Sequence, residues 1–485
     1  MRIRGDHMTV VPTIATPPVI MCRRRTVLVA LLCAMLSGAC GGSQAVTNEH
    51  EHEPARPDVL AGVIVPATPV GRQLMWVADT LGGAREVDDA ASMQARFTAH
   101  FLEAVPPDQL VATANELRTS LPGFRLVEIE SAASPHELVA LATSEDNAVW
   151  RIYLSTESSA PYRIDSFLLQ AAPDRDPDRP STWEDLYGRM SDVAPVHALL
   201  AAEIVDGVCD PIRSNNADRV MPLGSTFKLY VLEAVAHSVN EGHLAWDDAL
   251  AVDDALRSLP SGVMQDLPTG FEVPIREAAE QMIAISDNTA TDHLIARVGR
   301  DEVERAVARA GHHAPHLMTP FLMTRDLFYL KLGAEVEVRA RFSQGSVDER
   351  REILASDYAL PSIASARWWL LPVEIERIEW FASSEDICRL YARLAEMADA
   401  DSASPIMDIL SINPGVRFDP SHWPYIGYKG GSEPGVLHFA WFLQDPSGRS
   451  FVYVMAFMNT ERPVDLFEGV RVASWGGLLL AEEVR

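Results

Sequence analysis

The chain has 485 residues, 47% of them hydrophobic and 22% charged, enough for two or three globular domains with cores of their own. Its formal net charge of −27 argues against a phosphate-binding surface, so neither DNA nor RNA is an expected partner. Only three of the 41 basic residues are lysines, Lys228, Lys331 and Lys429. An amine can give up its proton where a guanidinium cannot, which marks these three as candidates for chemistry.

In chain order, Arg23-Arg24-Arg25 precedes an apolar run at 26–36 and then small residues up to Cys40-Gly41-Gly42, so residues 1–40 read as an export leader. The run is too short to cross a bilayer. Ser37-Gly38-Ala39-Cys40 resembles a bacterial lipobox, although Ser37 stands where an aliphatic residue is usual. That resemblance implies a protein held at the cell envelope by lipid on Cys40, touching the membrane only through that anchor; plain secretion is the other reading. Residues 41–65 lack apolar periodicity and read as a tether. His50 and His52 lie there with no further ligand nearby in sequence, so neither a metal nor another cofactor is expected.

Residues 66–172 suggest a small α+β unit. Helical spacing covers 93–105 and 109–121, and four short strands follow at 124–130, 137–143, 148–154 and 162–169. Helices on one face of an antiparallel sheet are the simplest way to bury that pattern. No nucleophile and base pair up here, so the unit reads as a binding or docking module. Pro173, Pro177 and Pro180 mark 173–181 as a linker.

Residues 182–485 carry the chemistry. A strand at 196–205 turns at Asp206-Gly207, and Cys209 and Cys388 are the two cysteines of the body, either free or paired. Ser225-Thr-Phe-Lys228 then opens an apolar helical run. A serine hydroxyl is a weak nucleophile near neutral pH, and an amine three residues on, sharing its helix face, is expected to reach and activate it. A Ser-x-x-Lys pattern alone also fits a solvated helix start. Ser286-Asp287-Asn288 lies on a turn between two helical runs. Lys429-Gly430-Gly431-Ser432 leads into strands at 436–443 and 450–457. The two glycines suit close approach to a strand backbone.

The three motifs in this order resemble the trio of class A β-lactamases and penicillin-binding proteins, with Gly430 in place of threonine. The resemblance covers about 182–485 and implies an α/β domain with an antiparallel sheet flanked by helices, and hence an α+β chain overall. It implies Ser225 as the acylated nucleophile, Lys228 as its base and Ser286 as a proton relay supported by Lys429. Asn288, Gly430, Gly431 and Ser432 would line the substrate, with the N–H groups of Ser225 and Ser432 as the oxyanion hole. No Glu-x-x-Leu-Asn element, the source of the deacylating glutamate in class A enzymes, lies between the second and third motifs; Asp326, Glu374 and Glu379 are the acidic candidates there.

The layout is also similar to a narrower group of exported lipoproteins and a protein of clavulanic acid biosynthesis, through Leu223-Gly-Ser-Thr-Phe-Lys-Leu-Tyr230 and Thr319-Pro-Phe-Leu-Met-Thr-Arg325. In that group a cystatin-, isomerase- or NTF2-like unit precedes the β-lactamase-like domain. Two functions follow as expectations. One is a monomeric, exported serine acyl hydrolase acting on β-lactams or small esters. The other is a non-catalytic envelope lipoprotein that binds peptidoglycan-like peptides or a protein through the same cleft.

Overall fold

The computed structural model describes residues 59–60, 62–356, 358–360, 369–401 and 404–485; Cys40, His50, His52 and the leader lie outside them. The chain is α+β, and each of its two main sheets is antiparallel.

In the first unit α1 (Pro69–Leu81) starts where Thr68 Oγ1 accepts the Gly71 N–H at 3.2 Å. The single helix expected at 93–105 is two, α2 (Ala90–Arg96) and α3 (Ala99–Ala104). Phe97 is extended and buried against the sheet, the Thr98 N–H donates to Ile164 O at 2.9 Å, and Thr98 Oγ1 caps α3. A threonine that caps one helix ends the run that helical spacing alone would continue. After α4 (Pro107–Ser120) come β1 (Arg125–Ser134), β2 (Glu137–Thr143), β3 (Val149–Thr156) and β4 (Ile164–Ala171), an antiparallel meander in sequence order. Along β3, Trp150, Ile152 and Leu154 are buried and their neighbours half-buried, so the helices cover one face.

The 173–181 segment does not run free. Asp176 is buried and takes both Nε and Nη2 of Arg471 at 2.7 and 3.0 Å, which clamps the segment to the last helix of the chain.

The second unit opens with α5 (Trp183–Val193) and the hairpin of β5 (Val196–Val205) and β6 (Val208–Asn215), whose turn residues Asp206 and Gly207 both have positive φ. Next are β7 (Met221–Pro222), a 3₁₀ turn over Gly224–Phe227, and α6 (Lys228–Asn240). The short pair β8 (Ala249–Ala251) and β9 (Glu272–Pro274) precedes α7 (Ile275–Ala284), α8 (Asn288–Val298), α9 (Arg300–Arg309), α10 (Thr324–Phe328), α11 (Val336–Gln344) and α12 (Val347–Ala355). Strand β10 (Phe381–Ala382) pairs with β7, and α13 (Ser384–Ala400) and α14 (Ile406–Ser411) follow. The chain closes with β11 (Tyr425–Glu433), β12 (Val436–Gln444), β13 (Ser450–Met458) and α15 (Leu466–Glu483).

The five-stranded sheet runs β11-β12-β13-β5-β6, so β11 is an edge. Strands β12 and β13 are buried on both faces, which is why they read as unbroken apolar runs. One face, with Leu200, Ala440, Phe442 and Val454, packs on α6, α8 and α13; the other, with Leu199, Phe439, Trp441 and Tyr453, packs on α5 and α15. The second core continues into the first unit, where Phe467 meets Trp150 edge-on at 5.7 Å. A Cys209–Cys388 disulfide ties β6 to α13, settling the pairing that spacing left open.

Candidate active site

Ser225 lies in the 3₁₀ turn, half-buried, and Lys228 begins α6 fully buried, its own N–H donating to Ser225 O and Thr226 O. The turn is pinned from behind: the Leu223 N–H donates to Trp380 O at 2.9 Å, and Phe227 stacks on Trp380 with ring centroids 3.6 Å apart. Ser286 takes φ +58°, a left-handed conformation unusual for serine. Asp287 holds it there. One carboxylate oxygen accepts the Ala290 N–H at the start of α8 (2.8 Å), and the other accepts the N–H groups of Val263 and Met264 (2.7 and 2.8 Å).

The twist turns both oxygens of Ser286 toward Lys228. Lys228 Nζ lies 2.6 Å from Ser286 O, 3.0 Å from Ser286 Oγ and 2.7 Å from Asn288 Oδ1. From the other side Lys429 Nζ lies 3.1 Å from Ser286 Oγ and 2.7 Å from Gly430 O. The Ser286 hydroxyl therefore bridges two amines, and among the described residues neither amine touches a carboxylate. Burial lowers Lys228 to about 7, against which Asp287 and Asp292 pull upward. Burial, with Lys228 beside it, pushes Lys429 well below the usual amine range. A neutral Lys228 has two N–H donors, which fit Ser286 O and Asn288 Oδ1, and one lone pair, which fits the Ser286 hydroxyl proton.

One expectation changes here. Lys228 forms no side-chain hydrogen bond with Ser225 Oγ among the described residues; its nitrogen is drawn instead to the Ser286 turn, which offers three acceptors in one place. Asn288 spends Oδ1 on Lys228 and one of its two Nδ2 hydrogens on Leu259 O at 3.0 Å.

The glycines of the third motif admit protein as well as substrate. A Cβ at Gly431 would stand 2.1 Å from Leu223 O and 2.5 Å from the Ser225 nitrogen, and one at Gly224 would stand 2.6 Å from the Ser432 nitrogen. Only two bare backbones can meet this closely, and each glycine backs onto the serine nitrogen of the other segment. Gly430 is likewise filled, since a Cβ there would lie 2.0 Å from Tyr428 Oη.

The third lysine completes a group that motif reading missed. Lys331 is buried and ion-paired with Glu433, with Glu379 at 3.8 Å from its nitrogen, and both carboxyls are buried as well. Burial raises both acids while Lys331 pulls them down. Lysine scarcity singled out Lys331, and Glu433 shares the strand face of Lys429 and Gly431 by the two-residue period of β11. His438, opposite Gly431 on β12, is buried with neither ring nitrogen bonded among the described residues, and burial lowers it to about 3. Among the described residues His312, His313 and Asp386 have the spacing of metal ligands, but His312 bonds Phe381 O and the Ala314 N–H, while Asp386 caps α13.

The acidic candidates for activating water are otherwise engaged. Asp326 accepts from Arg300, the Met323 N–H and Tyr358; Glu374 accepts from Ser343; Glu379 accepts the Trp380 N–H and faces Lys331.

Comparison with known proteins gives the following. The β-lactamase from Sphaerobacter thermophilus is 21% identical over 62% of this chain and 96% of its own, with a TM-score of 0.42. A β-lactamase from Chitinophaga pinensis is 15% identical over 62% of this chain and 98% of its own, TM-score 0.42. An acyl-enzyme complex of PBP-A with penicillin G is 18% identical over 63% and 99%, TM-score 0.40. No curated relative matches. The family described as ORF 12 gene product N-terminal matches residues 64–159. The beta-lactamase enzyme family matches residues 210–465, more than half of the chain, and the chain belongs to it.

Proposed function

We propose that this member of the beta-lactamase enzyme family is an exported serine acyl hydrolase, lipid-anchored through Cys40, that forms an acyl-enzyme on Ser225 from a β-lactam or a small ester. The observation that carries this reading is the hydrogen-bonded chain from Lys429 through the Ser286 hydroxyl to Lys228, whose backbone N–H donates to Ser225 O one turn away. In the reaction Ser225 Oγ bonds to the acyl carbon and its proton goes to Lys228 Nζ, which exchanges its Ser286 Oγ contact for Ser225 as substrate enters; hydrogen bonds of this kind often tighten only in the complex. The oxyanion that develops is met by the Ser225 and Ser432 N–H groups. Once Ser225 is acylated the protonated Lys228 returns to Ser286 Oγ, and the proton passes through that hydroxyl to the departing nitrogen or oxygen as the acyl–leaving-group bond breaks. With Asp326, Glu374 and Glu379 held elsewhere, the adduct is released slowly. The Cys209–Cys388 disulfide suits the oxidising side of a membrane.

Mass spectrometry after exposure to a fluorescent penicillin and to a nitrophenyl ester tests this. An adduct on Ser225 that persists for minutes is expected, and it is absent from Ser225→Ala. The second reading, a binding protein for peptidoglycan-like peptides, is favoured by one observation: among the described residues the Lys228 side chain bonds Ser286 and Asn288 and not Ser225 Oγ. No adduct with any probe, together with equal peptide affinity in wild type and Ser225→Ala, would decide for it.

A further inference from the structure

The turn at Ser286 is gripped by a segment outside the three motifs, residues 258–264. Leu259 O accepts Asn288 Nδ2, Ser261 O accepts the Asn288 N–H at 3.0 Å, and the N–H groups of Val263 and Met264 reach the Asp287 carboxylate. Gly262 has φ +109°, and a Cβ there would stand 2.1 Å from Asp287 Cγ, so only glycine lets the two segments lie this close. The backbone on both sides of Ser261 is thereby fixed, and its half-buried hydroxyl donates to Ser286 O at 2.7 Å. Lys228 Nζ approaches the same carbonyl oxygen to 2.6 Å. A carbonyl oxygen has two lone pairs, so hydroxyl and amine between them use it fully.

We infer that Ser261 is a positioning residue: by sharing the Ser286 carbonyl with Lys228, its hydroxyl holds that amine in the deprotonated state in which it can act as a base. This deepens the acyl-enzyme reading and rests on it for the effect on rate. A carbonyl oxygen beside an amine favours the ammonium form. The Ser261 O–H occupies one lone pair and turns the positive end of its dipole toward that oxygen, which weakens the pull. The charged groups around Lys228 are Asp287 and Asp292 from α8, which favour the ammonium, and Lys429 from β11, which opposes it across the Ser286 hydroxyl. Ser261 moves this balance without bringing another ion into a buried site.

The chain has only three lysines, so protein labelled with carbon-13 at lysine Cε gives three signals to follow by NMR against pH, and Lys228→Met assigns the one that matters. In Ser261→Ala the Lys228 titration midpoint should rise by about half a pH unit, and in Ser261→Thr, which keeps the hydroxyl, it should stay with wild type. Acylation of Ser225 by whichever probe labels wild type, benzylpenicillin or p-nitrophenyl acetate, should follow: about threefold slower in Ser261→Ala at pH 6 and equal to wild type at pH 9. A midpoint unmoved in Ser261→Ala, or moved as far in Ser261→Thr, overturns the inference. So does a rate that falls equally at every pH, the mark of a merely structural contact. If wild type forms no adduct, the acyl-enzyme reading falls by itself, and the lysine titration still decides for or against Ser261.

Discussion

Two buried sites, each built on rare lysines, lie at β11 and meet opposite electrostatic conditions. Lys228 and Lys429 face hydroxyl, amide and carbonyl oxygens, and burial drives both toward the neutral amine. Lys331 instead faces two carboxyls, Glu433 and Glu379, within one sealed group. The difference teaches what burial does with a lysine. Given counter-charge it becomes a structural ion pair; denied one it is driven toward the neutral amine.

The sharpest way to break this contrast is to remove each amine in turn. Lys228→Met should slow acylation of Ser225 about a thousandfold, the scale of a lost general base, while urea unfolding shows a loss of only about 1 kcal/mol for the acceptor left at Asn288. A loss of stability without loss of rate would make Lys228 the structural one. Lys331→Met should do the reverse. It strands two buried carboxyls and should cost about 3 kcal/mol of unfolding free energy, with adding Glu433→Gln restoring part of it and acylation staying near wild type. The smallest effect is in pH. Lys228, at about 7, is mostly protonated at pH 6 and mostly neutral at pH 8. Acylation should therefore rise about tenfold over that interval and level off above it, and stopped-flow rates that stay flat would remove the base from Lys228.

Much of this was readable from order and spacing. Residues that work as hydrophobic runs or as short motifs declare themselves locally: the double-sided burial of β12 and β13, the Asp206-Gly207 hairpin and the three motif segments all follow from near neighbours. What stayed hidden depends on contacts made across the chain. The helix expected at 93–105 breaks because Thr98 meets Ile164, far along the sequence. Lys228 bonds Ser286 and Asn288 because Ser286 adopts a left-handed backbone, and that is imposed by Asp287 gripping Val263 and Met264. Gly430 reads as a missing hydroxyl until the Tyr428 ring is seen lying over it.

The Arg471–Asp176 clamp has a consequence of its own. Because this paired charge is sealed between the segment joining the two units and the final helix, the smaller unit cannot swing as a bead on a string. Heating should melt the whole molecule in a single cooperative step, and any partner gripping the smaller unit would be held at a set angle to the cleft.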